Sequence, residues 1–426
     1  MPKIVLGFPR TIYQVREEEI PELKGKFLDP WSSLKPAFLR KRIANEIIAL
    51  FVRKKNKLEF EPFFHLKNGL IDPSQITNHW ALVFPKRSYL PWQYPHLQLW
   101  YLTNHFVPSL KFMSDEEIKT LSKITLLIKD IFVNFSKKMQ GGNFCFGYNA
   151  TPFSFIRDPE GQYYAGGQSV RVFHAHFLLM PPESQMKKIA IDEKESFLIY
   201  PTDFSKKLFK LIFGAPTIAK KVFQDTKFVF DERGVVARIG DDYQRLWFLL
   251  KKIDEIFYQI QLILIYAFYQ DGEKFIFQIE KFITTQNIAS VEKRLGELIL
   301  VGKERSLSEI KAYIVEGLER FAKHNQVKFS KKDIDDLLET LFLDENGDLS
   351  SNVFGAPTVL RPGMGYGCLA KLSRNKLDVK ITPLDVLGSK GLMEASGYWF
   401  ERKIEVDQFP QWLNLIAQEL VSKLKK

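Results

Sequence analysis

The chain has little cysteine: Cys145 and Cys368 are the only two among 426 residues. There is no Cys-x-x-Cys and no Cys/His set at zinc-ligand spacing, so a disulfide framework and a structural zinc finger are both excluded. A reducing, cytoplasmic compartment is the expectation. Met1 to Gln14 lacks the apolar core of a signal peptide and is followed by Glu17-Glu18-Glu19. Long hydrophobic runs are also missing. The longest, Ile256 to Tyr269, is interrupted by Gln259 and Gln261, which is too short and too polar to cross a bilayer. A buried core helix is expected there, and no membrane partner. No long basic tail is present either: basic clusters are short, as at Arg53-Lys54-Lys55 and Lys423-Leu424-Lys425-Lys426.

What is abundant is phenylalanine, with 37 copies, in a chain that is 45% hydrophobic and 26% charged. These values suit a globular protein with large buried aromatic clusters. The formal net charge is +11, from 61 basic and 50 acidic residues. A basic balance suits polyanionic partners such as nucleotides or nucleic acid. A lysine-rich solvated surface explains the same number.

Punctuation and periodicity divide the chain into three parts, 1–60, 61–200 and 201–426. Residues 1–60 read as an arm or cap, with a helix from about Pro36 to Phe51. In 61–200 an apolar strand runs from Trp80 to Pro85. Ser114-Asp115-Glu116-Glu117 is a capping box, and it opens a helix with Ile118, Leu121, Ile124, Leu127, Ile128 and Ile131 at helical spacing. Gly141-Gly142 stops that helix. Strands follow at Phe144 to Tyr148 and at about Val170 to Met180. Residues 201–350 read as mostly helical, with helices over Asp241 to Gln270, Ser306 to His324 and Lys331 to Leu343. Gly367 to Leu372 and Leu377 to Thr382 form a hairpin, and a closing helix runs from about Gln408 to Leu424. Phe213-Gly214-Ala215-Pro216-Thr217 recurs as Phe354-Gly355-Ala356-Pro357-Thr358, an echo that suits two related halves or chance.

The segment that carries chemistry is Phe173-His174-Ala175-His176-Phe177. On a strand, His174, His176 and Leu178 share one face, and Ala175, Phe177 and Leu179 the other. A neutral imidazole nitrogen can attack phosphorus, provided the other ring nitrogen is held by an acceptor in the right tautomer. Just upstream, Ala165-Gly166-Gly167-Gln168-Ser169-Val170-Arg171 offers small residues that expose backbone N–H groups. It adds donors from Gln168 and Ser169 and a cation from Arg171. Lys86 and Arg87 could clamp phosphate or simply solvate a strand end. His79, His96 and His105 read as structural histidines, or as walls of a base pocket. Gly363-Met364-Gly365-Tyr366-Gly367 lacks the Lys and helix of a phosphate loop and reads as a turn before a strand. No carboxylate or cysteine lies at ligand spacing beside the histidine pair, so no metal is expected.

Gly166-Gly167-Gln168-Ser169-Val170 followed by His174-Ala175-His176-Phe177 resembles the signature of the histidine triad superfamily. Trp80 to Arg87, the capped helix from Ser114 and the strand ending at Asn149 resemble that family's upstream order, so the likeness covers about residues 78–182. The chain length resembles the branch of galactose-1-phosphate uridylyltransferases and dinucleoside tetraphosphate phosphorylases, in which two halves are fused. Thr382 to Leu392 loosely resembles a second-half segment of the phosphorylases.

The resemblance implies an α+β fold with antiparallel sheets packed against helices. There would be a catalytic half-domain over 61–200 and a second half-domain with a helical insertion over 201–426. It implies a nucleotidyltransferase or phosphorylase acting on a nucleoside diphosphate sugar or dinucleoside polyphosphate, with an acceptor phosphate and no cofactor. His176 would be the nucleophile and His174 its orienting neighbour. Asn149, Gln168 and Ser169 would line the phosphate site. The family also allows for a homodimer that shares residues across its interface.

The sequence departs from the family in three ways. Leu178 stands where the family has His or Gln and cannot donate a hydrogen bond. The spacing from Ser169 to His174 is longer than in the small triad hydrolases. The cysteine pair of some uridylyltransferase zinc sites is missing. A nucleotide-binding protein without turnover and a nucleic-acid-binding protein are the alternatives.

Overall fold

The structure, a computed structural model, describes residues 47–54, 57–61, 79–83, 94–102, 107, 109–139, 142–150, 155–157, 163–165, 173–180, 187–188, 203–231, 234–268, 306–342, 365–373, 376–384, 398–399 and 411–424. Within them the protein is α+β, with one antiparallel sheet of ten strands.

The strands from the first part of the chain are β1 (Ile47–Lys54), β2 (Lys57–Glu61), β3 (His79–Val83), β4 (His96–Leu102), β5 (Asn143–Ala150) and β8 (His174–Met180). Those from the second are β10 (Lys227–Phe230), β11 (Val235–Ile239), β12 (Gly365–Ser373) and β13 (Lys376–Leu384). The sheet order is β10-β11-β13-β12-β5-β8-β4-β3-β1-β2, so each set is contiguous, and the β5–β12 pairing joins them, with Cys368 opposite Tyr148. Two short ribbons stand apart from it: β6 (Phe155–Arg157) with β7 (Tyr163–Ala165), and β9 (Lys187–Lys188) with β14 (Tyr398–Trp399).

The helices among the described residues are α1 (Asp115–Met139), α2 (Asp203–Phe213), α3 (Pro216–Phe223), α4 (Tyr243–Phe268), α5 (Leu307–Asn325), α6 (Lys331–Phe342) and α7 (Gln411–Leu424). None of the described helices is long and apolar enough to cross a membrane.

Helix α1 begins as the sequence predicts. Glu117 N–H donates to Ser114 Oγ at 3.3 Å, and the Glu117 carboxylate accepts from Ser114 N–H, closing the capping box. Its apolar stripe is buried at Ile118, Leu121, Ile124, Ile128 and Ile131. The helix ends at Met139, and Gly142 has φ +97°, where a Cβ would stand 2.4 Å from Met180 O. Glycine there meets both a left-handed backbone and a close approach to β8.

Alternation sorts each strand into two faces. Leu97, Leu99 and Tyr101 of β4, Ala175, Phe177 and Leu179 of β8, and Phe144, Phe146 and Tyr148 of β5 form one apolar face, all of it buried. Helices α1 and α4 cover it. Phe132 of α1 meets Phe144 edge-on at 5.7 Å, and Trp247 of α4 lies 5.4 Å from Phe146. Part of the aromatic abundance is thus buried in this layer, where each well-set ring pair adds about 0.5–1.5 kcal/mol beyond area burial. Thr125 of α1 ties the layer to α4 by accepting from Trp247 Nε1 at 3.0 Å.

The strand hairpin, the three long helices of the second part and the closing helix lie where periodicity places them. Three points differ. Residues 47–51, expected at the end of a helix, begin strand β1, which pairs with both β2 and β3. The expectation over residues 36–46 lies outside the described residues. Strand β4 occupies a segment to which the sequence assigned no element, and β10 and β11 interrupt a part expected to be mostly helical.

Candidate active site

His174 and His176 fall on the sheet face opposite the aromatic layer, as alternation demands. Strand β8 is held between β4 and β5, and the registers fix what stands beside each histidine. On the β4 side Gln98 is opposite His176, Trp100 opposite His174, and His96 opposite Leu178. On the β5 side Gly147 is opposite His176 and Cys145 opposite Leu178.

The β4 side is polar and engaged with His176. His96 Nε2 lies 3.0 Å from His176 Nδ1, and the two rings stack at 21° with centroids 5.2 Å apart. Gln98 Nε2 lies 3.4 Å from the same Nδ1. Trp100 Nε1 donates to Gln98 Oε1 at 2.9 Å. An indole can only donate, so this bond turns the amide NH2 toward His176. The His174 ring stands 5.2 Å from that of His176 and 5.5 Å from the Trp100 ring. On the β5 side the residue opposite His176 is Gly147, which has no side chain.

Burial sets the charge state. His176 is 1% exposed, His96 1% and His174 8%. Removal from water pushes the His96 pKa down to about 3. It also holds His176 well below its ordinary value, with the neighbouring His174 and His96 acting in the same direction. Both imidazoles are therefore neutral at physiological pH, and a neutral ring keeps the lone pair that attack on phosphorus needs. Burial pushes the Cys145 thiol up to about 12, so it stays protonated.

Of the residues the sequence singles out, the structure brings together His174, His176 and Leu178. Leu178 is fully buried on the histidine face. Asn149 lies on β5 two residues beyond Gly147, its backbone opposite Gly367. Lys86, Gln168, Ser169 and Arg171 lie outside the described residues, as does the rest of the Gly-Gln-Ser loop. Among the described residues, no group of three or more His, Cys, Asp or Glu side chains is arranged to hold a metal ion.

His96, read from sequence as a structural histidine or as a wall of a base pocket, belongs to the cluster. So do Gln98 and Trp100, which the sequence reading passed over. The signal was available: His96, Gln98 and Trp100 alternate with Leu97, Leu99 and Tyr101 in a strand pattern.

Comparison with known protein families, with curated proteins and with solved structures finds no match for this chain.

Proposed function

We propose that the protein is a nucleotidyltransferase or phosphorylase of the histidine triad type. It acts on a nucleoside diphosphate sugar or dinucleoside polyphosphate through a nucleotidyl-His176 intermediate. The observation that carries this reading is His176 itself: a neutral imidazole beside His174, with its Nδ1 engaged by His96. Its Nε2 is then the atom that attacks the α-phosphorus. The nucleoside diphosphate sugar or dinucleoside polyphosphate loses a sugar phosphate or nucleotide, and an acceptor phosphate takes the nucleotidyl group from His176.

The fold reading that goes with it is two histidine-triad-like half-domains sharing one sheet. The contiguous strand sets on either side of the β5–β12 pairing support it. Lys86, Asn149, Gln168, Ser169 and Arg171 are assigned to the phosphate cradle on the resemblance alone. Intact-protein mass spectrometry after incubation with a nucleotide panel tests the reading. A nucleotidyl adduct that disappears in His176→Ala is expected. No adduct and no turnover with any donor sinks the catalytic claim.

Two observations favour a second reading, a nucleotide-binding protein without turnover. Leu178 puts an apolar side chain at the third triad position, and His176 is nearly completely buried. Calorimetry showing nucleotide binding without product, unchanged in His176→Ala, would select it.

A further inference from the structure

We infer that His96 is the positioning residue of His176, a cross-strand acceptor that holds its Nδ1 proton and so leaves Nε2 able to attack. The inference rests on the nucleotidyl-histidine reading above and adds to it a residue outside the His-x-His strand.

Two neutral imidazoles joined nitrogen to nitrogen share one proton between them, so the 3.0 Å contact from His96 Nε2 to His176 Nδ1 has two states. When His96 donates, His176 carries its own proton on Nε2 and has no lone pair there. When His96 accepts, His176 is protonated on Nδ1 and its Nε2 lone pair points away from the contact. Only the second state is a nucleophile. The Gln98 amide faces the same Nδ1 at 3.4 Å as a donor, and so opposes this state. It is the longer and weaker contact of the two.

Attack strengthens the need for His96. A bond forms from His176 Nε2 to phosphorus, and the P–O bond to the leaving group breaks with its electron pair on the leaving oxygen. The ring becomes a cation that still carries its Nδ1 proton, now a stronger donor toward His96 Nε2. In the second half-reaction an oxygen of the acceptor phosphate attacks, the N–P bond breaks, and its electron pair returns to Nε2. The Nδ1 proton stays in place throughout. A neutral acceptor suits this cycle better than a carboxylate, which would raise the His176 pKa and hold it protonated before attack.

The placement also bears on Leu178. His96 is directly opposite Leu178 on the neighbouring strand, so a polar side chain reaches the histidine face from β4 beside the position where β8 has none, although as an acceptor it does not replace the donor that Leu178 removes.

Two readouts test the inference on the full-length protein. The first is the single-turnover rate of adduct formation on His176 with UDP-glucose, ADP-glucose and diadenosine tetraphosphate. His96→Phe keeps a ring and removes the acceptor, so its rate should fall on the order of 100-fold. His96→Asn, whose side-chain oxygen can accept, should recover part of the loss. The second is the tautomer of His176, read by two-bond proton–nitrogen correlation on 15N-histidine-labelled protein. Nδ1 protonation is expected in the wild type and a shift toward Nε2 protonation in His96→Phe. An unchanged tautomer overturns the inference even where an adduct forms, and so does adduct formation in His96→Phe at the wild-type rate. A tautomer shift with no adduct from any donor supports the coupling of His96 to His176 and sinks the catalytic reading instead.

Discussion

Acidification from pH 7 to pH 5 should destabilise the protein through the histidine cluster, and the size of the effect can be worked from His96. Its pKa is 6.5 in the unfolded chain and about 3 in the fold, because burial disfavours the charged ring. The folded value is the lower one, so the unfolded state binds more protons throughout that window. Above the unfolded value both states are neutral and nothing is lost. As pH falls toward the folded value, stability falls with it. At pH 5 the unfolded histidine is charged while the folded one is not, a gap of about 1.5 pH units. At 1.36 kcal/mol per unit this costs about 2 kcal/mol relative to neutral pH. His176 is shifted in the same direction and adds to the loss.

The assay is urea unfolding at pH 7 and pH 5 for the wild type and for His96→Gln, which keeps a polar side chain and removes the titration. A loss of about 2 kcal/mol lowers the midpoint by about 0.5–1 M. The variant should show that much less acid sensitivity. The acid-titrating groups outside the cluster are common to both proteins, so the difference reads His96 together with the part of the His176 shift that His96 itself causes. Equal midpoint drops in both would refute the reasoning, since His96 would then not be neutral and enclosed in the fold.

Three further substitutions test the packing that positions the site. Thr125 Oγ1 accepts from Trp247 Nε1 at 3.0 Å and donates to Leu121 O at 2.8 Å; Thr125→Val leaves a buried indole N–H unpaired and should cost about 1–3 kcal/mol, read as a lower urea midpoint. Gly317 lies where α5 meets α4, and a Cβ there would stand 2.5 Å from Ile263 Cγ2. Gly317→Ala should therefore lower the melting temperature, its overpacking cost of about 1–3 kcal/mol exceeding a helix-propensity gain of about 1 kcal/mol. Ser306 closes a capping box at the start of α5, accepting from Glu309 N–H while the Glu309 carboxylate accepts from Ser306 N–H at 2.8 Å. Ser306→Ala should cost about 1 kcal/mol and speed amide exchange in the first turn of α5.

Much of the architecture is legible where local signals act alone. Ser114 and Glu117 mark the start of α1, glycine marks its end, and the turn from Ser373 to Lys376 joins β12 and β13 in register. Legibility fails where partners decide. Ile47-Ile48-Ala49-Leu50-Phe51-Val52 is a continuous apolar run, and such a run fits a buried helix or a buried strand equally well. What makes it a strand is pairing on both sides, with Phe51 opposite Phe60 on β2 and Trp80 on β3. Strands β10 and β11 are four and five residues long, too short for periodicity to separate from a helical neighbourhood.

The histidine site shows the same division more sharply. The pattern that the sequence resembles is written along one strand, so it marks His174, His176 and the departure at Leu178. The environment of His176 is written across strands, and His96 is 80 residues away in the chain. The sheet makes the two sides of His176 unequal: β4 supplies His96, Gln98 and Trp100, and β5 supplies Gly147 and Cys145. A group that orients the ring belongs on the polar side, where His96 and Gln98 reach Nδ1. That asymmetry bears on the meaning of Leu178. Its apolar side chain removes a donor along β8, but it does not touch the partner of Nδ1, which comes from the neighbouring strand, where His96 Nε2 stands 3.0 Å away.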